Sequence, residues 1–389
     1  MKIEYRFVQP VDTVSIRGNK LFGDPGSIGE SCFPPRPSVL AGAFRSYLLI
    51  QAANEIDEFT QGGRLSDDEL DAVLGTITEP GSFTVGRLLP ARRNADGGLD
   101  PFMSPPADVR VMNGGQSVCK LEPRQLPDAI VTSQVAGLPC IPVLRQDQQA
   151  KPEGGWLLNV QGIAAYVAGR ELTPNHLHRE EDLWLQESRV GIGLDAISRT
   201  AEEGKLFTVD HTVVRQGEHA RGGAGLLVGI AGCNGSLPQS GFIRLGGDGR
   251  AARFDQVEAS LPETPLEQIA QQGRFKVVLH TPGLFRDGWL PDAVTNDGGC
   301  YRLRLEGLTA RLCCAGVSRF EVISGWDLAS WRPKVAERVA PAGSVYWFDQ
   351  VDGDLSALGK LAGGGLWMKD GDNAQRQAEG YNRVQLACW

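Results

Sequence analysis

The sequence has no run approaching eighteen uninterrupted apolar residues and no charged-then-apolar opening, since Met1-Lys2-Ile3-Glu4-Tyr5-Arg6 alternates instead. The first absence argues against a membrane-spanning helix and the second against a secretory leader, so a soluble, cytoplasmic protein with no membrane partner is expected. There is no CxxC. Eight cysteines without paired spacing, two of them adjacent at Cys313-Cys314, predict reduced and mostly buried thiols rather than a disulfide framework. GxSxG, HExxH and GxxxxGK[ST] are all missing, which removes the serine-hydrolase elbow, the zincin site and the standard P-loop. The carboxylates form neither a glycosidase pair nor a two-metal nuclease pattern. The histidines, His176, His178, His211, His219 and His280, stand apart. Only His176-x-His178 has ligand-like spacing, and no third donor accompanies it, so neither a metal nor a cofactor is expected. Basic charge is short as well: 39 Lys and Arg against 47 Asp and Glu give a net charge of −8. That balance argues against a free-standing, non-specific nucleic-acid binder and requires any RNA contact to be local.

What is present is ordinary globular material. At 389 residues, with 41% apolar and 7% aromatic side chains, the chain is long enough for two domains of about 150 to 200 residues. Forty-nine glycines fall in short loops without a fixed period, which excludes collagen and solenoids. Basic clusters occur at Arg87, Arg92 and Arg93, at Arg36 and Arg45, and at Arg244, Arg250 and Arg253, with acidic excess between 57 and 71.

The most organised stretch is Phe33-Pro34-Pro35-Arg36-Pro37-Ser38-Val39-Leu40-Ala41-Gly42-Ala43-Phe44-Arg45-Ser46-Tyr47-Leu48. Three prolines in four positions keep the entering backbone extended. Leu40, Ala43, Phe44, Tyr47 and Leu48 then recur at helical spacing, predicting a helix over about 38–54 with Pro37 or Ser38 in its first turn and with Ala41 and Gly42 permitting close approach of another chain. A helix start with free N–H groups and two arginines suits phosphate; a proline-punctuated loop before a core helix fits the same residues.

Elsewhere, residues 2–9 alternate as a first strand, Ser66 caps a second helical pattern, and 83–90 reads as a strand. From 91 to 155 the chain is crowded with Pro, Gly, Asp and Gln, the composition of a long functional loop or insertion. Residues 156–167 read as strand, 187–195 as a strand-like or tight-turn segment, and 205–215 as a clear strand. In the second half, 225–230, 242–245, 251–257, 275–280, 301–305, 308–314 and 346–349 read as strands, and 266–272 and 355–361 as short helices. Strands outnumber helices, and a strand, helix, strand, strand rhythm in each half predicts an α+β fold with a sheet covered by helices on one face.

Gly246-Gly247-x-Gly249-Arg250 can offer successive N–H groups as a nest for phosphate, or can simply be a tight hairpin turn. It lacks the third glycine and the following helix of a dinucleotide fingerprint. Arg17 and Lys20 flank a turn at Gly18-Asn19. Trp184 and Glu187 read as a buried tryptophan with an internal Glu to Arg pair, and Arg189 and Arg199 bracket the turn after them.

Taken in order, residues 11–23, the 33–48 stretch, 183–195, 245–250, 338–346 and the terminal Gly380-Tyr381-Asn382 resemble one family. It is the RAMP subunit, numbered third, of type III-B CRISPR (Cmr) effector complexes, which caps the five-prime end of the guide RNA. The resemblance thins at about 57–80, 95–150 and 350–378. It implies two tandem ferredoxin-like (RRM-like) RAMP modules with glycine-rich loops: residues 1–216 with a long insertion at about 91–155, and residues 217–389. Gly191 and Gly193 map to the first loop, and Gly246, Gly247 and Gly249 to the second. It implies a non-catalytic subunit in antiviral defence that anchors the repeat-derived five-prime tag of crRNA, docks the large polymerase-like subunit and the backbone RAMP subunits, and meets target RNA only indirectly. The implied RNA-binding residues are Arg17, Lys20, Phe33 as a base-stacking ring, Arg36, Ser38, Arg45, Arg189, Gly246, Gly247, Gly249, Arg250, Lys334, Arg338, Gly343 and Ser344. Within about 95–150 it implies a protruding hairpin that displaces a base at the guide and target junction. Two alternatives remain open from the residues. One is a metal-independent repeat endoribonuclease using His176, His178 or His219 as general acid or base; the other is a scaffold whose loops touch only protein.

Overall fold

The computed structural model describes residues 2–18, 28–125, 127, 137–146, 150–216, 223–327, 329–367 and 373–389. Lys20 and His219 lie outside the described residues. The chain forms two compact units, each assembled from separate stretches: Met1–Asp100, Glu181–Ala259 and Ser324–Val335 in the first, and Pro101–Glu180, Ser260–Ile323 and Ala336–Trp389 in the second. The division expected at 216/217 falls inside the first unit, and residues 101–155 of the expected insertion go with the second.

In chain order the first unit contains β1 (Ile3–Pro10), α1 (Pro37–Leu49), α2 (Asp68–Leu74), β2 (Thr84–Arg93), β3 (Leu99–Pro101), β4 (Trp184–Leu194), β5 (Ala201–Val214), β6 (Gly223–Ala231), β7 (Ser240–Arg244) and β8 (Ala251–Val257). Its sheet runs β7-β8-β1-β6-β2-β3, antiparallel from β7 to β2. The inner strands β8-β1-β6-β2 therefore lie in the order fourth, first, third, second. Strand alternation directs Val8, Leu226, Val228, Ile230, Ile243 and Phe254 to one face, where Leu40, Phe44 and Leu48 of α1 and Leu70, Val73 and Leu74 of α2 meet them. Each such side chain contributes about 1.5–3 kcal/mol by leaving water.

Arg36 occupies the extended N-cap position and Pro37 the first turn of α1, where a missing N–H costs nothing. The regular helix ends at Leu49 and continues as 3-10 turns over Ile50–Glu55, broken at Ala52 with φ −103° and ψ 48°. Ala41 is buried, whereas Gly42 is exposed and faces open space. The cap of α2 falls one residue later than expected. Asp67 accepts from Glu69 N and Leu70 N at 2.9 and 3.0 Å, while the Ser66 hydroxyl is held by Glu55 at 2.7 Å.

The second unit contains β9 (Phe275–Leu279), β10 (Val294–Asp297), β11 (Cys300–Leu305), β12 (Leu308–Gly316), β13 (Val345–Gly353), α3 (Ser356–Gly364) and β14 (Val384–Ala387). Its sheet runs β10-β11-β12-β13-β9-β14. Again four neighbouring strands, β14-β9-β13-β12, with β14 at the sheet edge, are antiparallel and ordered fourth, first, third, second. Phe275 stacks on Phe348 at 5.1 Å, within a core that includes Leu303, Leu312, Leu358, Leu361 and Leu386. Part of the stretch expected to be irregular is ordered here as a three-stranded antiparallel sheet of Val109–Met112, Ser117–Arg124 and Ile141–Leu144. Residues 156–167, read as one strand, divide into a strand Trp156–Leu158 and a helix Val160–Val167 capped by Asn159, whose Oδ1 accepts from Gly162 N at 2.8 Å. Asp108, buried, accepts from the Tyr166 hydroxyl and from Lys276 Nζ, each at 2.7 Å, and that ammonium sits 3.8 Å from the centre of the Tyr166 ring.

Among the described residues the fold is thus mixed α+β with several antiparallel sheets. No helix among them is long and apolar enough to cross a membrane.

Candidate nucleic-acid interface

The segment following β1 gathers several of the expected residues in the first unit. Val14 exchanges backbone hydrogen bonds with Thr212 of β5, and Arg17 bridges to Ser31. The Ser31 hydroxyl accepts from Ile16 N at 3.1 Å and meets the Thr212 hydroxyl at 3.3 Å. Gln186 of β4 donates to Thr212 Oγ1 at 3.1 Å. Phe33 packs edge-on against Trp184, ring centres 5.0 Å apart. On the other side, Gly247 N donates to Ser15 O at 2.7 Å, and Arg250 Nη1 pairs with Asp12 at 3.1 Å. Arg17, Phe33, Arg189, Gly246, Gly247, Gly249 and Arg250 therefore collect around residues 12–18, with Arg36 and Ser38 following Phe33 at the start of α1.

Several details differ from expectation. Phe33 is half-buried against a tryptophan and joins the core of this unit. The glycine loop is a hairpin turn: Leu245 N donates to Arg250 O at 2.8 Å, and the N–H of Gly247 is taken up by Ser15 O. Glycine is required at 246 all the same, because its φ is +79° and a Cβ would lie 2.5 Å from Ser15 O. Arg250 Nε, in the same loop, is buried without a hydrogen-bond partner. Arg45 does not join the cluster; it donates to Leu74 O at 2.8 Å and ties α1 to the end of α2.

Lys334 lies in a short hairpin of this unit, where its N–H donates to Gly325 O and Trp326 and Trp331 are exposed with ring centres 5.9 Å apart. In the second unit, Arg338 lies 4.8 Å over Phe320 and is exposed. Gly343, at φ +84°, donates to Leu279 O and accepts from Ala107 N, which satisfies its backbone within the fold. Ser344 is 1% exposed and its hydroxyl donates to Pro341 O at 2.7 Å. It braces a turn.

The β4–β5 hairpin is the other departure. Gly191 and Gly193 are strand residues in it, not loop residues. A Cβ on Gly191 would lie 2.4 Å from the Phe207 ring, and one on Gly193 2.8 Å from Lys205, so glycine lets these cross-strand side chains lie flat over β4. The tip is ordered by Asp195, which accepts from Ile197 N and Ser198 N and is held below the usual carboxylate range mainly by the hydrogen bonds from Ser198. Val190 (71%) and Ile197 (95%) are exposed, with Ile192, Leu194 and Leu206. An exposed apolar hairpin thus lies at 184–214, while residues 126, 128–136 and 147–149 of the 95–150 stretch, where a protruding hairpin was expected, lie outside the described residues. At its base Trp184 is buried and Glu187 accepts from Arg189 Nε at 2.9 Å, as read from the sequence.

His211, buried where β5 meets the 12–18 segment, has Nδ1 3.4 Å from Thr13 Oγ1. Burial, then Arg189 and Arg250, hold its pKa below the ordinary imidazole range, against the opposite pull of Asp248 and Glu187. The folded state therefore binds fewer protons than the unfolded chain, so His211 lowers stability as pH falls from about 6.5 through the depressed folded value. In thermal melts, His211→Asn is expected to narrow the wild-type difference in Tm between pH 7 and pH 5; an unchanged difference removes this assignment.

Among the described residues no three His, Cys, Asp or Glu side chains are grouped to hold a metal. His176 Nδ1 accepts from Thr173 N at 3.1 Å as part of a capping box, and His178 stacks on Phe102 at 4.7 Å.

Phe242, which the sequence motifs do not single out, is 62% exposed on edge strand β7. The signal was available: Gly241, Ile243 and Leu245 alternate inward, which turns Phe242 to the opposite face.

A profile of CRISPR-associated proteins matches residues 6–389, nearly the whole chain. The chain belongs to that profile's family, Cas_Cmr3. No curated protein sequence matches it. In fold it is similar to a chain in the cryo-EM structure of the type III-B Cmr-beta bound to cognate target RNA and AMPPnP, state 1, at TM-score 0.51 and 14% identity, covering 98% of this chain and 96% of that one. A chain of the Cmr-beta structure bound to cognate target RNA aligns at TM-score 0.46 and 14% identity, covering 88% and 86%.

Proposed function

We propose that this chain is a non-catalytic, cytoplasmic RNA-binding subunit of a type III-B effector complex, anchoring the repeat-derived five-prime tag of crRNA. It also docks the large polymerase-like subunit and the backbone RAMP subunits, and meets target RNA indirectly. Each six-stranded sheet is a ferredoxin-like RAMP module, the fourth-first-third-second order being that of the fold, with a hairpin strand replacing one of its two helices. The observation that carries the RNA assignment is the approach of Arg189 and Arg250, from two distant stretches of sequence, to residues 12–18, which include Arg17. Each guanidinium can exchange a protein partner for a phosphate, and the proline-stiffened start of α1 supplies Arg36 and Ser38 beside them. The aliphatic β4–β5 hairpin is the wedge that displaces a base where guide meets target.

Filter binding tests this reading with crRNA of native tag and the same RNA with its tag scrambled. Scrambling is expected to weaken binding at least about tenfold, while altering the spacer leaves it unchanged. Equal affinity for native and scrambled tags overturns the assignment.

A further inference from the structure

The candidate cluster leaves unused the face of the first sheet opposite α1. Strand register places Phe242 directly across from Arg253, with Ser240 opposite Asp255, and continues the Phe242 row to Gln9 of β1. All these side chains project on the face away from the Ile243 and Phe254 core. Arg253 donates to Asp255 Oδ1 through Nε at 3.3 Å and Nη2 at 3.0 Å, while Arg93 Nη1 donates to the other carboxylate oxygen at 3.1 Å and lies 4.6 Å over the Phe7 ring. One carboxylate thus orients two guanidinium groups, and exposed Arg244 adds a third cation two residues along from Phe242.

We propose that this face is a second nucleic-acid contact, in which an unpaired nucleobase stacks on Phe242 and Arg253 and Arg244 take the phosphates on either side of it. The inference rests on the RNA-binding reading above and extends it to residues that reading does not use. Phe242 stands on an edge strand, so a ligand backbone can pass the sheet without displacing another strand. It is the exposed aromatic among Ser240, Arg244, Arg253 and Asp255, the Phe7 ring across from Asp255 being buried, and one exposed ring is too little apolar area for a protein hot spot and suits a planar ring carrying negative charge. Three arginines against one carboxylate make the patch cationic in a chain of net charge −8. The β7–β8 turn that carries Arg250 joins this face to the cluster around residues 12–18.

The test uses the full chain, crRNA with its native tag, and binding measured across a salt series. Phe242→Ala is expected to weaken binding roughly tenfold with the salt slope unchanged, and Phe242→Trp to restore it, because a stacked base is held by a ring face. Arg253→Gln is expected to weaken binding and to reduce the slope by about one counterion. Ultraviolet crosslinking is expected to join RNA to the peptide containing Phe242. Phe242→Ala binding as tightly as wild type overturns the stacking site and leaves the tag reading intact. Wild-type protein that binds no RNA overturns the tag reading itself. If Phe242→Ala retains RNA but fails to enter the assembled complex, the face is a protein-docking surface and the proposal falls.

Discussion

Asp108→Ala is expected to lower folding stability by about 3–5 kcal/mol, the usual cost of stranding a buried charge. Asp108 and Lys276 are 1% and 2% exposed and joined by a 2.7 Å ion pair, and the Tyr166 hydroxyl donates to the second carboxylate oxygen. Burial and Asp108 push that hydroxyl well above the ordinary phenol range, so it stays a donor. Without Asp108, the Lys276 ammonium keeps only the Tyr166 ring. Lys120 adds to the strain, being already held below the usual lysine range by burial and then by Lys276. A lysine depressed in the fold binds fewer protons there than when unfolded, so the variant's deficit should shrink as pH rises from 7 to 9. Urea unfolding across that range checks both magnitude and sign. Asp108→Leu combined with Lys276→Met should recover most of the loss, since the pair's absence is tolerated better than half of it. A single-variant deficit below about 1 kcal/mol would show that water reaches the site.

Asn382→Ala is expected to cost about 2–4 kcal/mol, from several backbone partners left unsatisfied together with backbone strain. This fully buried asparagine accepts from Leu284 N at 2.6 Å and donates to Leu366 O at 2.9 Å and Leu284 O at 3.3 Å. Its φ of +56° is one that asparagine tolerates better than alanine. Asn382→Gly relieves the backbone and not the lost bonds, so its stability should fall between wild type and alanine. Asn382→Asp should be worse than glycine, because a carboxylate faces two carbonyl oxygens. Glycine matching wild type in thermal melts would place the whole effect in the backbone angle.

The terminal Gly380-Tyr381-Asn382, legible as part of a family pattern, thus has a structural role: Asn382 pins a loop and Tyr381 is buried beside it. Strands with clean alternation or a continuous apolar run, such as those at 251–257 and 225–230, were readable because one or both faces are buried. In the β4–β5 hairpin, 205–215 reads as a clear strand and lies within β5 save for its last residue, whereas 187–195 reads only as strand-like or a tight turn because the glycines of β4 mimic a loop. At 156–167 the apolar run was assigned the wrong period, although Asn159 and the spacing of Ile163, Tyr166 and Val167 carried the helix signal. The arginines near the 12–18 segment could be named from sequence, but not which of them the fold diverts: only coordinates reveal that Arg45 ties two helices together. Nor could local pattern anticipate two units built from alternating stretches, because that follows from long-range pairing.

That alternation bears on how the protein is made. Val8 in β1 pairs with Leu226 on one side and Phe254 on the other, so β1 has neither of these neighbours until β6 and β8 have been synthesised. Loop-closure entropy over such spans makes folding slow, and β1 must wait unpaired on the nascent chain. Dividing the gene at residue 216 would leave β1 in one polypeptide and both its neighbours in the other, so neither product should fold unless the two are made together.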